Sequence, residues 1–177
     1  FDLALADPPW HWQARSAKGE GRSARNHYPV MSLEEIKALD VRSIMERDSV
    51  LLLWVTMPLL DRGLEVMRAW GYTFKTCVFA WAKVVKWRLK ITHGGDPRAG
   101  ERFVESFATL LDSIGYTPLR PQLGTGYYTR ANVELCLLGT RGRGLRRIAR
   151  DVPQLILAPR TTHSAKPLET YERIERL

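Results

Sequence analysis

The sequence predicts a single α/β domain built around a mainly parallel sheet. Short apolar runs alternate with segments whose apolar residues recur at helical spacing, and the length of 177 residues suits one buried core. Some strand-like runs are apolar on both faces, as buried parallel strands are. A hydrophobic fraction of 45% excludes a disordered chain. No uninterrupted apolar run exceeds that at residues 50–55, which is far too short to span a bilayer, so no membrane partner is predicted.

The first elements are defined by their end signals. Residues 1–6 form an apolar strand that two prolines bring to a close. A polar loop rich in Gly, Ser, Arg and Lys covers residues 13–27. Ser32 and Glu35 then make a capping box, which predicts a helix over residues 33–39.

The later elements continue the alternation. Glycines at positions 71 and 115 end two of the helices. In chain order the pattern predicts a strand at 49–55, a helix at 58–70, a strand at 73–83, a helix at 101–114, strands at 133–138 and 154–157, and a last helix from 167.

The composition also bears on metals and on the cellular setting. Neither Cys77 nor Cys136 has a C-x-x-C partner, and the four histidines show no spacing typical of metal ligands. We therefore predict no metal site, and a reduced, cytoplasmic location rather than a disulfide framework.

The charge balance points to a polyanionic partner. Lysine plus arginine number 27 against 19 acidic residues, a formal net charge of +8. Nucleic acid is the first expectation for such a domain, and a merely solvated basic surface is the alternative. Arginine is concentrated in one ten-residue run, which we predict binds phosphates at the same sheet edge as the tetrapeptide described next; a solvated linker is the alternative. The run contains Arg141, Arg143, Arg146, Arg147 and Arg150.

The tetrapeptide Asp7-Pro8-Pro9-Trp10 follows the first strand, where open α/β sheets place their ligands. Asp7 offers only acceptors at neutral pH, and the stiff prolines leave a carbonyl free to face a ligand. Trp10 adds a flat ring for stacking. Two acceptors beside a ring match the exocyclic amine of a nucleic-acid base, whereas the plainer interpretation is a strand-ending turn with a buried tryptophan.

The chemistry that this set suits is methylation of such an amine. Accepting both N–H bonds, on Asp7 and on the Pro8 carbonyl, directs the nitrogen lone pair toward a methyl donor. The base must leave a duplex to be reached, so base flipping and stacking on Trp10 are expected. Adenine N6 and cytosine N4 both present such an amine.

Several motifs together resemble a known family, the adenine-N6 methyltransferases related to the catalytic subunit of the messenger-RNA adenosine methyltransferase. The resemblance covers nearly the whole chain except about 85–122, and it is nearer to bacterial and phage members. Besides the tetrapeptide, it rests on Leu53-Trp54-Val55-Thr56, Trp70-Gly71-Tyr72, Trp81-Ala82-Lys83, Gly126-Tyr127-Tyr128-Thr129-Arg130, Glu134-Leu135-Cys136-Leu137-Leu138-Gly139 and His163-Ser164-Ala165-Lys166-Pro167.

The resemblance implies a fold and a reaction. The fold is a Rossmann-like, S-adenosylmethionine-dependent methyltransferase sheet with helices on both faces and a permuted strand order. The reaction is adenine-N6 methylation with S-adenosylmethionine as cofactor, on DNA in the first place and on RNA as the nearest alternative. A catalytically silent nucleic-acid-binding scaffold is the alternative from another class, and assembly with itself or with a second subunit stays open.

The resemblance also assigns site residues. Asp7, Pro8, Pro9 and Trp10 are expected to hold the amine beside the sulfonium, with Asp7 and Pro8 touching the cofactor together with Ser164 and Lys166. The substrate side is expected to include Tyr28, Lys83, Tyr128, Arg130 and Glu134. From the residues alone, Glu134 reads equally well as a strand-end salt bridge, and Lys166 as an ordinary solvated lysine.

Two departures from the family pattern are visible. Residues 85–122 are longer than the family's usual connection, and we interpret them as an inserted lid or recognition element within one domain spanning 1–177. Family members continue beyond the final helix into a further strand that helps to bind the cofactor. We expect this chain to be trimmed at both ends, and the alternative is that it binds the cofactor poorly.

Overall fold

A computed structural model describes residues 1–11, 29–86, 109–111, 113–115, 119–124, 126–162 and 164–177. Within them lies one six-stranded sheet with helices on both faces. The strands are β1 (Leu3–Ala6), β2 (Ser49–Thr56), β3 (Thr73–Lys86), β4 (Leu119–Pro121), β5 (Val133–Arg141) and β6 (Leu155–Ala158). The helices are α1 (Leu33–Lys37), α2 (Val41–Ile44), α3 (Leu60–Ala69, preceded by a 3₁₀ turn at Met57–Leu59) and α4 (Leu168–Arg176).

The prediction of a mainly parallel sheet is wrong for this part of the chain. The strand order is β1-β2-β5-β3, and β3 also pairs with β4 and with β6. Among the described strands, the β1–β2 and β3–β6 pairings are parallel, whereas β2–β5, β5–β3 and β3–β4 are antiparallel. The cause is β5, which inserts in the reverse direction between β2 and β3, two strands that point the same way. Its apolar pattern shows burial and carries no information on direction.

Register decides which side chains share an end of the sheet. Ala6 pairs with Leu53 and Thr56 pairs with Glu134, so the residues that follow β1 and β2 lie beside the start of β5. Ser49 pairs with Arg141 at the other end of the same strands. We call the end of the sheet at Ala6, Thr56 and Glu134 the carboxyl end, and the end at Ser49 and Arg141 the opposite end.

Two apolar clusters cover the two faces of the sheet. Alternate residues of β2 point to opposite sides, as the pleat requires. Leu51, Leu53 and Val55 join α1 and α3 in one cluster, while the neighbouring β2 residues, Trp54 among them, join β6 and α4 in the other. This confirms the prediction of a strand at 49–55 that is buried on both faces, and of helices on both sides of the sheet.

Local signals correctly predict the helix ends. The expected capping box is present, because Ser32 and Glu35 exchange hydrogen bonds at the start of α1. Gly71 and Gly115 adopt the left-handed conformation, with φ of 84° and 69°, as predicted for helix stops. Of the helix predicted at 101–114, only residues 109–111, 113 and 114 are described, and the first four are helical. Strand β4, inside the predicted insert, was not predicted; most of that insert lies outside the described residues.

Candidate active site

The tetrapeptide forms a tight turn at the carboxyl end of β1. The Trp10 backbone amide donates to the Pro8 carbonyl at 2.8 Å, and the Met31 amide donates to the Pro9 carbonyl at 2.9 Å. The Trp10 indole donates its Nε1–H to the Trp54 carbonyl at 3.1 Å, which fixes the ring against β2. Pro8 therefore keeps one carbonyl lone pair for a ligand, because the other is used by the turn.

A cleft of about 520 Å³ opens beside this turn. Its wall combines the ends of β1, β2 and β3, the start of β5 and the segment before α4. Three parts of the tetrapeptide reach it, namely Asp7, Pro8 and the half-buried Trp10, while Pro9 does not line it. This volume fits a cofactor-sized or nucleotide-sized ligand.

Four charged side chains form a chain along one wall of the cleft. Lys166 Nζ lies 2.8 Å from Asp7 Oδ2 and 3.1 Å from Glu134 Oε2, and Lys83 Nζ pairs with the other oxygen of Glu134. The Lys166 side chain is only 10% exposed and that of Glu134 14%, so these ion pairs are poorly screened by water. Two lysines against two carboxylates leave the wall with no net charge.

Each of the two lysines also contacts the face of an indole ring. Lys166 Nζ lies 5.4 Å from the Trp54 ring centroid, and Lys83 Nζ lies 5.0 Å from that of Trp81. The two rings pack edge to face with their centroids 6.4 Å apart, and Trp81 donates its Nε1–H to the Ala158 carbonyl at 2.9 Å. Each ammonium is attracted to the face of the indole that it contacts.

The pKa values of Asp7, Glu134 and Lys166 follow from their burial and from these ion pairs. Burial raises the pKa of Asp7, and the nearby Lys166 ammonium offsets only part of that rise. Burial alone would raise the pKa of Glu134, but two lysines outweigh it and the pKa lies below its usual value. Burial would lower the pKa of Lys166, yet Glu134 and Asp7 outweigh it and the pKa is raised. The charged state of Asp7 thus depends on Lys166.

The structure brings together most of the predicted site residues. Besides Asp7, Pro8 and Trp10, the residues Lys83, Glu134, Ser164 and Lys166 line the cleft. Tyr128 and Arg130 lie on the loop before β5, next to the cleft wall and outside its lining. Tyr28 lies outside the described residues. Glu134 is indeed in a salt bridge, but with two lysines inside the cleft, and Lys166 is far from the ordinary solvated lysine that the sequence alone allowed.

Sequence reasoning did not single out several lining residues as site residues. Trp81 was noted only as part of a motif, although the Lys83 ammonium contacts the face of its ring. Thr56, Asn132, Arg160 and Thr162 also line the cleft. Thr56 is the last residue of β2, Asn132 precedes β5, and Arg160 and Thr162 follow β6. The sequence did not fix these strand ends, so it gave no signal that these side chains meet.

The arginine run does not lie where the sequence predicted. β5 runs away from the cleft, so Arg141 and the residues after it emerge at the opposite end of the sheet. Arg141 donates to the Met45 and Glu46 carbonyls, and Arg143 pairs with Asp48 at 3.2 Å. The prediction that this run shares an edge with the tetrapeptide is therefore wrong. Arg146 and Arg147 are exposed.

Comparison with known proteins agrees with this geometry. Over 193 aligned residues the chain is 26% identical to the type II methyltransferase M.MunI of a Mycoplasma species, covering all of this chain and 67% of that protein. It is 25% identical to the human N(6)-adenosine-methyltransferase catalytic subunit METTL3 and 24% identical to a probable N(6)-adenosine-methyltransferase of Oryza sativa. These two alignments cover all of this chain but only 23% and 19% of the relatives.

The sheet and its cleft, with these relatives, define the chain as a methyltransferase domain. The MT-A70 family model matches residues 1–115, which include the tetrapeptide, β2 and β3. The chain belongs to the MT-A70 family, and the family predicted from the motifs is confirmed. No helix among the described residues is both long and apolar enough to cross a membrane.

Proposed function

We propose that this domain transfers a methyl group from S-adenosylmethionine to the N6 amine of adenine in nucleic acid. The observation that carries the proposal is a carboxylate, Asp7, held at the mouth of a cleft by a buried lysine and flanked by the Pro8 carbonyl. These two acceptors suit two N–H bonds of one planar amine. The half-buried Trp10 offers the ring on which the base stacks.

The residues of the cleft fit the cofactor chemically. The amino-acid end of S-adenosylmethionine carries a carboxylate. The Lys166 ammonium has a third N–H to donate besides the two that face Asp7 and Glu134, and Ser164, which also lines the cleft, provides a hydroxyl. When bound, the cofactor supplies the methyl group.

The protein's own contribution is orientation. Asp7 Oδ2 accepts from Lys166, and its second oxygen is available to accept from the target amine. Pro8 fixes a second acceptor because its backbone cannot rotate freely. An amine that has gained the methyl group that the cofactor would supply is cationic, and it would lose a proton to solvent. Asp7 therefore acts by positioning the lone pair, and it does not need to be a strong base.

We place DNA ahead of RNA as the polymer. The alignment with the bacterial type II methyltransferase covers 67% of that protein, against 23% of human METTL3. The catalytically silent scaffold is disfavoured, since Asp7, both prolines and Trp10 are all present. Cytoplasm is the location we propose, because Cys77 and Cys136 are both free thiols. The oligomeric state stays open.

The direct test is incubation of the purified protein with labelled S-adenosylmethionine and matched DNA and RNA, each as duplex and single strand. Digestion to nucleosides then identifies the methylated base and sugar. We expect label in N6-methyldeoxyadenosine. Label in N6-methyladenosine of RNA would replace DNA by RNA, label at cytosine N4 would overturn the adenine assignment, and no label with intact nucleic-acid binding would favour the silent scaffold.

We further propose that the exposed arginines at the opposite end of the sheet contact phosphates. The double variant Arg146→Ser/Arg147→Ser should weaken binding to all sequences alike, because interactions with phosphates carry no sequence information. The slope of log affinity against log salt should fall by about 0.9 for each phosphate of duplex DNA that the variant no longer neutralises. Fluorescence anisotropy at several salt concentrations measures both.

The matched control is Arg62→Ser, which removes an exposed charge from α3. It should leave the salt slope nearly unchanged. If the double variant keeps the wild-type slope, the arginine run is a solvated linker, as the alternative interpretation of the sequence held.

A further inference from the structure

The loop that joins β4 to β5 presents a tyrosine in an unusual state. Tyr128 is fully exposed, and its backbone adopts a φ of 51°, in the left-handed region. Among the described residues only Tyr128 and Ser164 are non-glycine residues with positive φ. A bulky residue adopts this conformation at a cost in backbone free energy, so such positions persist only where the surroundings impose them and tend to occur at functional sites.

The base of this loop is fixed to the cleft. The Gly124 amide donates to the Ala131 carbonyl at 2.9 Å, and both residues line the cleft. On either side of the loop, the Gln122 amide donates to the Lys83 carbonyl and the Lys83 amide donates to the Asn132 carbonyl, each at 2.8 Å. The loop is thus anchored to β3 at the residue whose ammonium pairs with Glu134.

The close approach of backbone atoms within this loop imposes the strained conformation of Tyr128, which lies at the apex of the turn. A Cβ on Gly124 or Gly126 would overlap a backbone carbonyl oxygen, of Ala131 and Thr129 respectively. The Thr129 amide donates to the Tyr127 carbonyl across Tyr128, which closes a three-residue turn. Two glycines therefore allow a turn too tight for other residues, and its apex is an aromatic ring in solvent.

Tyr128 lies close to the cleft wall. It precedes Ala131, a residue of the cleft wall, by three positions, so its Cα is at most about 11 Å from that wall. An exposed phenol ring has the flat apolar faces that stack on nucleic-acid bases and that wedge between base pairs. An aromatic ring on a fixed turn also loses little conformational freedom when it binds.

We propose that Tyr128 is a wedge that enters the base stack of a duplex and occupies the space left when the target adenine flips into the cleft. This inference rests on the proposed function, adenine methylation in duplex nucleic acid. Tyr128 acts as a positioning residue: it lowers the free energy of the flipped state and touches neither the amine nor the cofactor. Its effect is therefore confined to substrates in which flipping costs free energy.

The experiment uses one oligonucleotide that the wild-type protein methylates, in three forms: a fully paired duplex, the same duplex with an abasic site opposite the target adenine, and the single strand. The variant Tyr128→Ala should lower kcat/KM on the paired duplex by about tenfold or more, as expected when a stacking interaction with a base is removed. On the other two forms it should stay within about twofold of wild type, because little pairing must be broken there.

Three controls separate the wedge from a structural role. Tyr128→Phe keeps the ring and should behave as wild type, while Tyr128→Gly removes both strain and ring and should resemble Tyr128→Ala. Tyr127→Ala changes the less exposed neighbouring residue. It should not lower kcat/KM on the paired duplex more than on the duplex with the abasic site. Equal losses on all three forms, or wild-type activity of Tyr128→Gly on the paired duplex, would overturn the wedge. Failure of the proposed function has a different signature, since the wild-type protein would then methylate none of the three.

Discussion

The variant Asp7→Asn is expected to lose methyl transfer by about two to three orders of magnitude, the range seen when one preorganised polar group that faces the reacting atoms is removed. The change keeps the shape of the side chain and removes its negative charge. The amide can present an N–H toward the target amine, and it no longer pairs ionically with Lys166, which is 2.8 Å from the carboxylate. Single-turnover transfer from labelled S-adenosylmethionine to DNA measures the loss.

The matched control for this prediction is Asp2→Asn, which neutralises an exposed aspartate just before β1. It should retain activity. Both variants should stay folded and bind DNA as the wild type does, because the Asp7 side chain is partly exposed and Lys166 keeps Glu134 as its second partner. Turnover of Asp7→Asn at the wild-type rate would contradict the role of the carboxylate in holding the amine.

The turn that carries Asp7 was predictable because its causes are local. Two consecutive prolines end β1 whatever surrounds them, and they fix the backbone that follows Asp7. The capping box at Ser32 is local in the same sense. Such features need no knowledge of the sheet, and the structure places each of them where the sequence predicts.

The ion pairs of the cleft were not predictable, because they join residues far apart in the chain. Lys83 and Glu134 are 51 positions apart, and they meet only because Trp81 pairs with Glu134 in the register between β3 and β5. The sequence allowed Lys166 to be a solvated lysine, since nothing near it indicates two carboxylates. Side chains that form one site from four separate segments are identified by topology alone.

The position of the arginine run shows how one wrong assumption propagates. A strand in an α/β pattern is expected to run parallel to its neighbours, which would bring its carboxyl end to the cleft. Because β5 is antiparallel to both neighbours, its amino end supplies Glu134 to the cleft and its carboxyl end carries Arg141 away. The same reversal that misplaced the arginines therefore completes the charged wall beside Asp7.

Replacing Lys166 with methionine is expected to reduce kcat/KM at neutral pH by about tenfold to a hundredfold and to shift its pH dependence. Burial already raises the pKa of Asp7, so the acid limb of the wild-type profile should lie above the ordinary range of an aspartate. Without the Lys166 ammonium the pKa of Asp7 rises further, and the acid limb should move to higher pH. A profile of kcat/KM against pH measures both the loss at neutral pH and the shift of the acid limb.

Stability gives an independent check on Lys166→Met. In this variant the raised pKa means that the folded state binds a proton more tightly at Asp7 than the unfolded state does. The contribution of Asp7 to the free energy of unfolding is therefore largest at low pH and is lost as pH rises through the folded-state pKa. The deficit relative to wild type should therefore grow with pH. Lys166→Arg keeps the charge and should return the acid limb most of the way toward wild type, whereas a limb that stays in place in Lys166→Met would mean that Lys166 does not control the ionisation of Asp7.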